Sequence, residues 1–261
     1  MKRRLTDYKS ISKLPREFES LVSGAQIFDS SCSPEARVYF IDKGDGYYLK
    51  RSALGTLEKE AEMTAFFHSK GLSAEVLSYI RTDECDWLLT SRVVGEDSTH
   101  EQYLSEPKRL AALLGERLRE LHSLDFSGCP VMDKMASYRS LAEQNYAKGL
   151  FDPSFFIGTK GSAEEIWREI ENGGDALYGR VLLHGDYCLP NVMLDGWRFS
   201  GFIDLGGGGV GDRHIDLFWG AWTLNFNLHT DEYRSVFFDA YGRDAIDTDK
   251  IRLVSAYECF G

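Results

Sequence analysis

The segment Leu183-His184-Gly185-Asp186-Tyr187-Cys188-Leu189-Pro190-Asn191 places an Asp and an Asn five residues apart, and Asp204 follows thirteen residues after Asn191. Phosphoryl transfer needs such a set. One carboxylate receives or orients the attacking hydroxyl, an amide oxygen a few residues on helps hold Mg²⁺, and a second carboxylate bridges metal and triphosphate. Positioning and charge neutralisation carry most of that chemistry, so a few oxygens on a rigid scaffold suffice. Taken alone, Asp186 in a His-Gly-Asp tripeptide reads as a turn or cap residue, and Asn191 as a cap. Their joint spacing with Asp204 favours Asp186 as the base and Asn191 and Asp204 as metal ligands. Pro190 stiffens the chain just before Asn191 and removes a donor.

Lys50 and Glu60 supply the other half of a kinase arrangement: a Lys that reaches the α- and β-phosphates and a helix Glu that fixes it. Read singly, they are a surface Lys and an exposed helix Glu, and Glu58 or Glu62 competes for the partnership. His184 reads as a structural histidine that bonds backbone near the metal ligand; a metal-dependent hydrolase using His184 and Asp186 needs further His or Cys ligands at suitable spacing. Ser31-Cys32-Ser33-Pro34-Glu35-Ala36 is neither a Walker loop nor G-x-G-x-x-G, though small hydroxyl residues let backbone N–H groups approach phosphate. The run Gly206-Gly207-Gly208-Gly209-Val210-Gly211 reads as a mobile loop beside the metal. Asp216 is expected either to anchor the motif loop or to cap a helix.

These residues need elements to hold them. Arg37–Ile41 and Tyr47–Lys50 read as a hairpin across the turn cluster Asp42–Gly46. Leu57–Lys70 has helical spacing and stops at Gly71. Val76–Ile80 and Trp87–Thr90 read as strands. The first part is thus a strand-rich lobe with one helix. Residues 94–98 have linker composition. Beyond them Pro107–His122, Ser137–Lys148 and Ser162–Ile170 read as helices, the last with a Ser162/Glu165 capping box. Val181–Leu183 and Phe199–Ile203 are short strands around the motif, and Asp216–Leu228 and Asp231–Tyr241 are helical. The fold class expected is α+β with two lobes: residues 1–93 for nucleotide, a 94–98 linker, and 99–261 helical with the catalytic loop and acceptor site. A nucleotide is expected in the cleft between them.

Bulk properties narrow the classes. The chain has 261 residues, 43% hydrophobic, with a formal net charge of −11. That charge disfavours nucleic acid, which needs a basic face, and suits a cationic substrate. No uncharged apolar run is long enough to span a bilayer. The start, Met1-Lys2-Arg3-Arg4-Leu5-Thr6-Asp7, is basic but leads into no apolar segment, so a cytoplasmic protein is expected. The five cysteines, Cys32, Cys85, Cys129, Cys188 and Cys259, show no C-x-x-C pair and read as reduced thiols. A monomer or weak dimer is expected.

The motifs Leu183–Asp186, Cys188–Met193, Arg198–Asp204 and Gly209–Asp216, with Ser33-Pro34, Val38-Tyr39, Tyr48–Lys50 and Leu57–Glu60 before them, resemble the aminoglycoside 3′-phosphotransferases over nearly the whole chain. The resemblance implies a protein-kinase-like fold, ATP or GTP and Mg²⁺ as cofactors, and transfer of the γ-phosphoryl to the 3′-hydroxyl of an aminoglycoside, which gives antibiotic resistance. It implies that Asp186 orients the acceptor, that Asn191 and Asp204 hold Mg²⁺, and that Lys50 contacts phosphates with Glu60 behind it. It also implies that Ser33 lies in the phosphate loop, Tyr48 stacks near adenine, Ser91 and Val93 belong to a hinge whose backbone meets the base, and Glu258 binds the acceptor.

The sequence departs from the family in three places. Gly206-Gly207 stands where the family has Gly-Arg, Ser154–Lys160 is apolar and basic where it has acids, and Glu258-Cys259 keeps one carboxylate of two. Those acids are where ammonium groups are expected to bind, so another hydroxylated antibiotic or metabolite is the alternative acceptor. A nucleotide-binding module without catalysis is the other class; the presence of Lys50, Asp186 and Asp204 argues against it. A protein kinase is opposed by the lack of an activation loop or A-P-E signature.

Overall fold

The computed structural model describes residues 4–6 and 11–261. Met1-Lys2-Arg3 and Asp7 of the basic start lie outside the described residues. The chain divides into two compact units, residues 1–100 with 190–206, and residues 101–189 with 207–261.

In the first unit, β1 (Arg4–Thr6), β2 (Gln26–Asp29), β3 (Ala36–Asp42), β4 (Tyr47–Ala53), β5 (Val76–Arg81) and β6 (Cys85–Ser91) form one antiparallel sheet in the order β1-β2-β3-β4-β6-β5. The β3–β4 hairpin pairs Val38 with Lys50 and Phe40 with Tyr48. Its turn depends on Gly46, at φ +89°, where a Cβ would stand 2.7 Å from the Phe40 ring. One face of the sheet buries Ile27, Ile41, Leu49 and Trp87 against Phe18 and Val22 of α1 (Arg16–Val22). This helix corrects the expectation of a single helix in the first part. It has only seven residues, too few for its period to stand out. The other helix, α2 (Glu58–Ser69), ends as expected, with Gly71 at φ +72° donating to the His68 carbonyl.

A second sheet in this unit joins β7 (Glu96–Asp97), β9 (Val192–Asp195) and β10 (Arg198–Phe202) in the order β10-β9-β7. Glu96–Asp97 falls within the 94–98 stretch read as linker, and both the N–H and the hydroxyl of Ser98 donate to the Val192 carbonyl.

The second unit holds α3 (Glu101–Leu104), α4 (Pro107–Ser123), α5 (Lys134–Ala147), α6 (Ala163–Gly173), α7 (His214–Leu228), α8 (Arg234–Tyr241) and α9 (Thr248–Glu258). A ribbon of β8 (Val181–Leu183) and β11 (Gly209–Gly211) lies among them. Pro at the first position starts α4, and Ser162 and Glu165 close the capping box of α6. The α4 and α8 backbones cross closely at Gly115, where a Cβ would meet the Phe237 carbonyl at 2.3 Å. The glycine run is not a mobile loop: Gly209–Gly211 pairs residue by residue with Leu183–Val181. No described helix is long and apolar enough to cross a membrane.

Candidate active site

The first unit gathers three of the sequence-derived residues. Lys50 on β4 donates to both carboxylate oxygens of Glu60 on α2, at 2.9 and 2.8 Å, and to Asp204 Oδ1 at 2.7 Å. The hairpin brings Lys50 to the sheet face toward α2, and Glu60 sits in the first turn of that helix. The competing acids are elsewhere: Glu58 pairs with Arg81, and Glu62 is exposed. Burial works against the Lys50 ammonium, but Asp204 and then Glu60 outweigh it and hold the Lys charged well above its usual range. Burial lifts the Glu60 carboxyl against the pull of Lys50.

Asp204 follows β10 in a left-handed conformation, φ +57°, which Asp adopts more readily than most residues. Its side chain is half exposed. The adjoining Ile203 N–H donates to the Asn191 carbonyl at 3.1 Å, so the two proposed metal-binding segments are tied backbone to backbone. The donor set, a carboxylate and a carboxamide oxygen, is hard and fits Mg²⁺. Among the described residues no group of three or more His, Cys, Asp or Glu is placed to hold a metal.

Four residues implied by resemblance also lie in this unit. Ser33 is in an exposed bend, where its hydroxyl bonds the Glu35 carboxylate and holds it below the usual range. The bend is anchored by Ser31, whose N–H donates to Asp29 and whose hydroxyl accepts from Val38 N–H at 2.9 Å. Tyr48 packs on Phe40, ring centroids 5.2 Å apart. Ser91 has its N–H donated to the Glu75 carbonyl and its hydroxyl accepting from Glu75 N–H. Val93 is buried with Ala74, Met193 and Ile203.

Asp186 belongs to the second unit. Its loop is fastened from α7: Asp216 Oδ2 accepts from His184 N–H at 2.8 Å and Oδ1 from Gly185 N–H at 2.7 Å. Asp216 lies inside the first turn of α7, fully buried, so it anchors the loop rather than capping the helix. Gly185 is at φ +83°, and a Cβ there would stand 1.9 Å from the Gly207 carbonyl. No other residue fits that contact. The Asp186 N–H faces His184 Nδ1 at 3.3 Å, Tyr187 donates to the Leu114 carbonyl, and Leu189 N–H donates to Thr223 Oγ1 at 3.1 Å.

Glu258, at the end of α9, is buried and accepts from Tyr138 Oη at 2.8 Å and from Trp219 Nε1–H at 3.0 Å. Burial lifts its carboxyl to about 7, with Tyr138, Trp219 and Lys134 pulling the other way and the Asp186 charge adding to the rise.

Sequence reasoning missed the support of these groups. His122 Nε2 meets Asp216 Oδ2 at 3.1 Å, and His122 Nδ1 meets Tyr241 Oη at 2.8 Å. Burial lowers the His122 pKa despite Asp216. A His on the apolar stripe of α4 gives no sign of a partner 94 residues away. Tyr138 and Trp219, the donors to Glu258, look equally like plain core residues.

The family model of the phosphotransferase enzyme family matches residues 33–254. A probable aminoglycoside 3′-phosphotransferase of Lactococcus lactis subsp. lactis (strain IL1403) is 50% identical over 253 residues, covering 97% of each chain. The crystal structure of an aminoglycoside 3′-phosphotransferase of type VIII is similar with a TM-score of 0.78 and 26% identity, over 91% of this chain and 94% of that one. An aminoglycoside phosphotransferase from Streptomyces rimosus ATCC10970, in complex with ADP and streptomycin, shares the fold with a TM-score of 0.71 at 24% identity, over 86% and 90% of the two chains.

Proposed function

The chain belongs to the phosphotransferase enzyme family, and on that premise we propose that it transfers the γ-phosphoryl group of a nucleoside triphosphate to a hydroxyl of an aminoglycoside, the 3′-hydroxyl by likeness to its relatives. The α+β fold, shared with those phosphotransferases, agrees. The observation that carries the reading is the Lys50–Glu60–Asp204 cluster, in which Lys50 lies within 2.9 Å of both carboxylates and is joined to one 154 residues away in the chain.

The roles follow from the chemistry. Lys50, kept charged by Asp204 and Glu60, binds α- and β-phosphate oxygens. Asn191 and Asp204 would hold Mg²⁺, which when bound neutralises charge on the triphosphate. The loop at Ser33 lies along the phosphates, Tyr48 stacks beside the base, and the backbone at Ser91 and Val93 meets its edge. Asp186 accepts the proton of the acceptor hydroxyl as its oxygen bonds to the γ-phosphorus. The bond from that phosphorus to the β–γ bridging oxygen breaks, and its electron pair leaves with the nucleoside diphosphate. Asp216 and His122 touch no reactant; they fix the loop that presents Asp186. Glu258 binds an ammonium group of the acceptor. Along the chain the lobes are 1–93 and 99–261, joined by 94–98.

The test is a transfer assay with purified protein, Mg²⁺ and labelled ATP or GTP against a panel of hydroxylated antibiotics and metabolites, with the phosphate located by ³¹P NMR. Label on the 3′-oxygen of a kanamycin-type acceptor is expected. Triphosphate-dependent labelling of none of the aminoglycosides would remove the acceptor assignment, and labelling of nothing at all would remove the reaction.

A further inference from the structure

Helix α7 holds the Asp186 loop at both ends, through Asp216 at residues 184–185 and through Thr223 at Leu189. Trp219, Trp222 and Phe226 recur on that helix at spacings of three and four, so they share one face. Their rings form a continuous row. Trp219 and Trp222 have centroids 5.4 Å apart, and Trp222 and Phe226 are stacked at 4.8 Å and 13°. Phe155, from the single turn Pro153–Phe155, packs on both indoles at 5.6 and 5.7 Å. The row is not core: Phe155, Trp219 and Trp222 are half-buried, and Phe226 is 60% exposed. One end of it meets charge, because Trp219 Nε1–H donates to Glu258 Oε1.

We propose that this aromatic row lines the acceptor subsite, where an amino-sugar ring packs its C–H groups on the exposed side of Phe226 and along the exposed edge of Trp222, and places one ammonium at Glu258. The inference rests on the phosphotransferase reading and names what that site grips. An aromatic face offers area and a weak attraction for cations; a carboxylate offers a strong point contact. The row contributes four rings and touches one carboxylate. An acceptor is therefore held chiefly by stacking, with a single ion pair setting its orientation. The residues that make the departure from the family's acids at Ser154–Lys160 include Phe155 itself. Discrimination follows ring shape and apolar face more than the number of ammonium groups.

The experiment compares wild type with Trp222→Ala, Trp222→Phe and the exposed-site variant Phe226→Ala, using MgATP and a kanamycin-type aminoglycoside. Steady-state kinetics and calorimetric acceptor binding are read in parallel. Trp222→Ala is expected to raise the acceptor KM about tenfold, with kcat and the KM for ATP within about twofold, and Trp222→Phe to restore most of the loss. Phe226→Ala is expected to raise the acceptor KM about threefold, and it decides the matter if Trp222→Ala does not fold. Acceptor KM and Kd unchanged in the folded variants overturn the inference. A wild type that binds the aminoglycoside without phosphorylating it, with binding weakened in Phe226→Ala, instead overturns the transfer reading and leaves the aromatic row standing. Aminoglycoside affinity equal in all proteins, including none in any, overturns the row.

Discussion

Lys50 is half-buried and Glu258 buried, and the two ionisable groups are stabilised in opposite ways. Lys50 sits between two carboxylates, so its charge is paired and fixed at every accessible pH. Glu258 is held by two neutral donors, a phenol and an indole, so its charge is only partly compensated and its carboxyl titrates near neutrality. Pairing suits a group that is to keep its charge across the working pH range. Hydrogen bonding by neutral donors leaves the carboxylate room for a further cation, as the proposed acceptor role requires.

That contrast can be broken or sharpened by substitution. The largest effect is expected for Asp186→Ala, which removes the proton acceptor: kcat should fall about 10³-fold with acceptor Kd little changed, read by transfer kinetics and calorimetry. Lys50→Ala should lower kcat/KM for the triphosphate about 10²-fold, and because it strands the Glu60 carboxylate it should also cost about 3 kcal/mol in urea unfolding. Asp216→Asn keeps the shape but offers one acceptor where two N–H groups need them. A loss of about 2 kcal/mol is expected, with kcat falling as the loop loosens; unchanged stability and kcat would deny the anchor.

The pH dependence probes Glu258 directly. Its folded value of about 7 lies above the ordinary carboxylate range, so the protonated form supports the fold. That contribution is complete below the ordinary range and is lost as pH rises through about 7. Cation binding runs the other way: the acceptor KM should fall between pH 6 and pH 8 as the charge appears, and Glu258→Gln should flatten the profile. The smallest effect is a control away from both regions. Ser162→Ala opens the capping box of α6 and should cost about 1 kcal/mol of stability with no change in turnover.

What the sequence made legible follows the same division. Lys50, Glu60 and Asp204 stand out once the kinase plan and the family resemblance are applied, and their side chains do come together; the hairpin, the helix start and the Gly71 stop each carry a local signature. Helix α9 escaped, although Asp247 caps it, because its apolar positions crowd round the helix instead of forming a stripe. Strand β9 and helix α3 are four residues each, shorter than any period can resolve. The sequence pattern starts α7 at Asp216 and makes that residue look like a cap; the helix begins two residues earlier, at His214. The partners of Asp216 and Glu258 are invisible for a different reason: in the sequence His122, Tyr138 and Trp219 stand among apolar neighbours that give no sign of a polar partner, and the contacts that matter span 39 to 120 residues.

The first unit is discontinuous, and that has a consequence for synthesis. Residues 190–206 supply Phe202, whose ring meets Phe67 at 6.1 Å, and Met193, which packs with Val93. A nascent chain that has emerged only through residue 100 therefore displays two apolar patches with nothing to cover them, and it keeps doing so while the ribosome adds nearly another hundred residues. The first unit finishes folding only after residues 101–189 of the second have been translated, so a chaperone that shields aromatic surface has its longest window there.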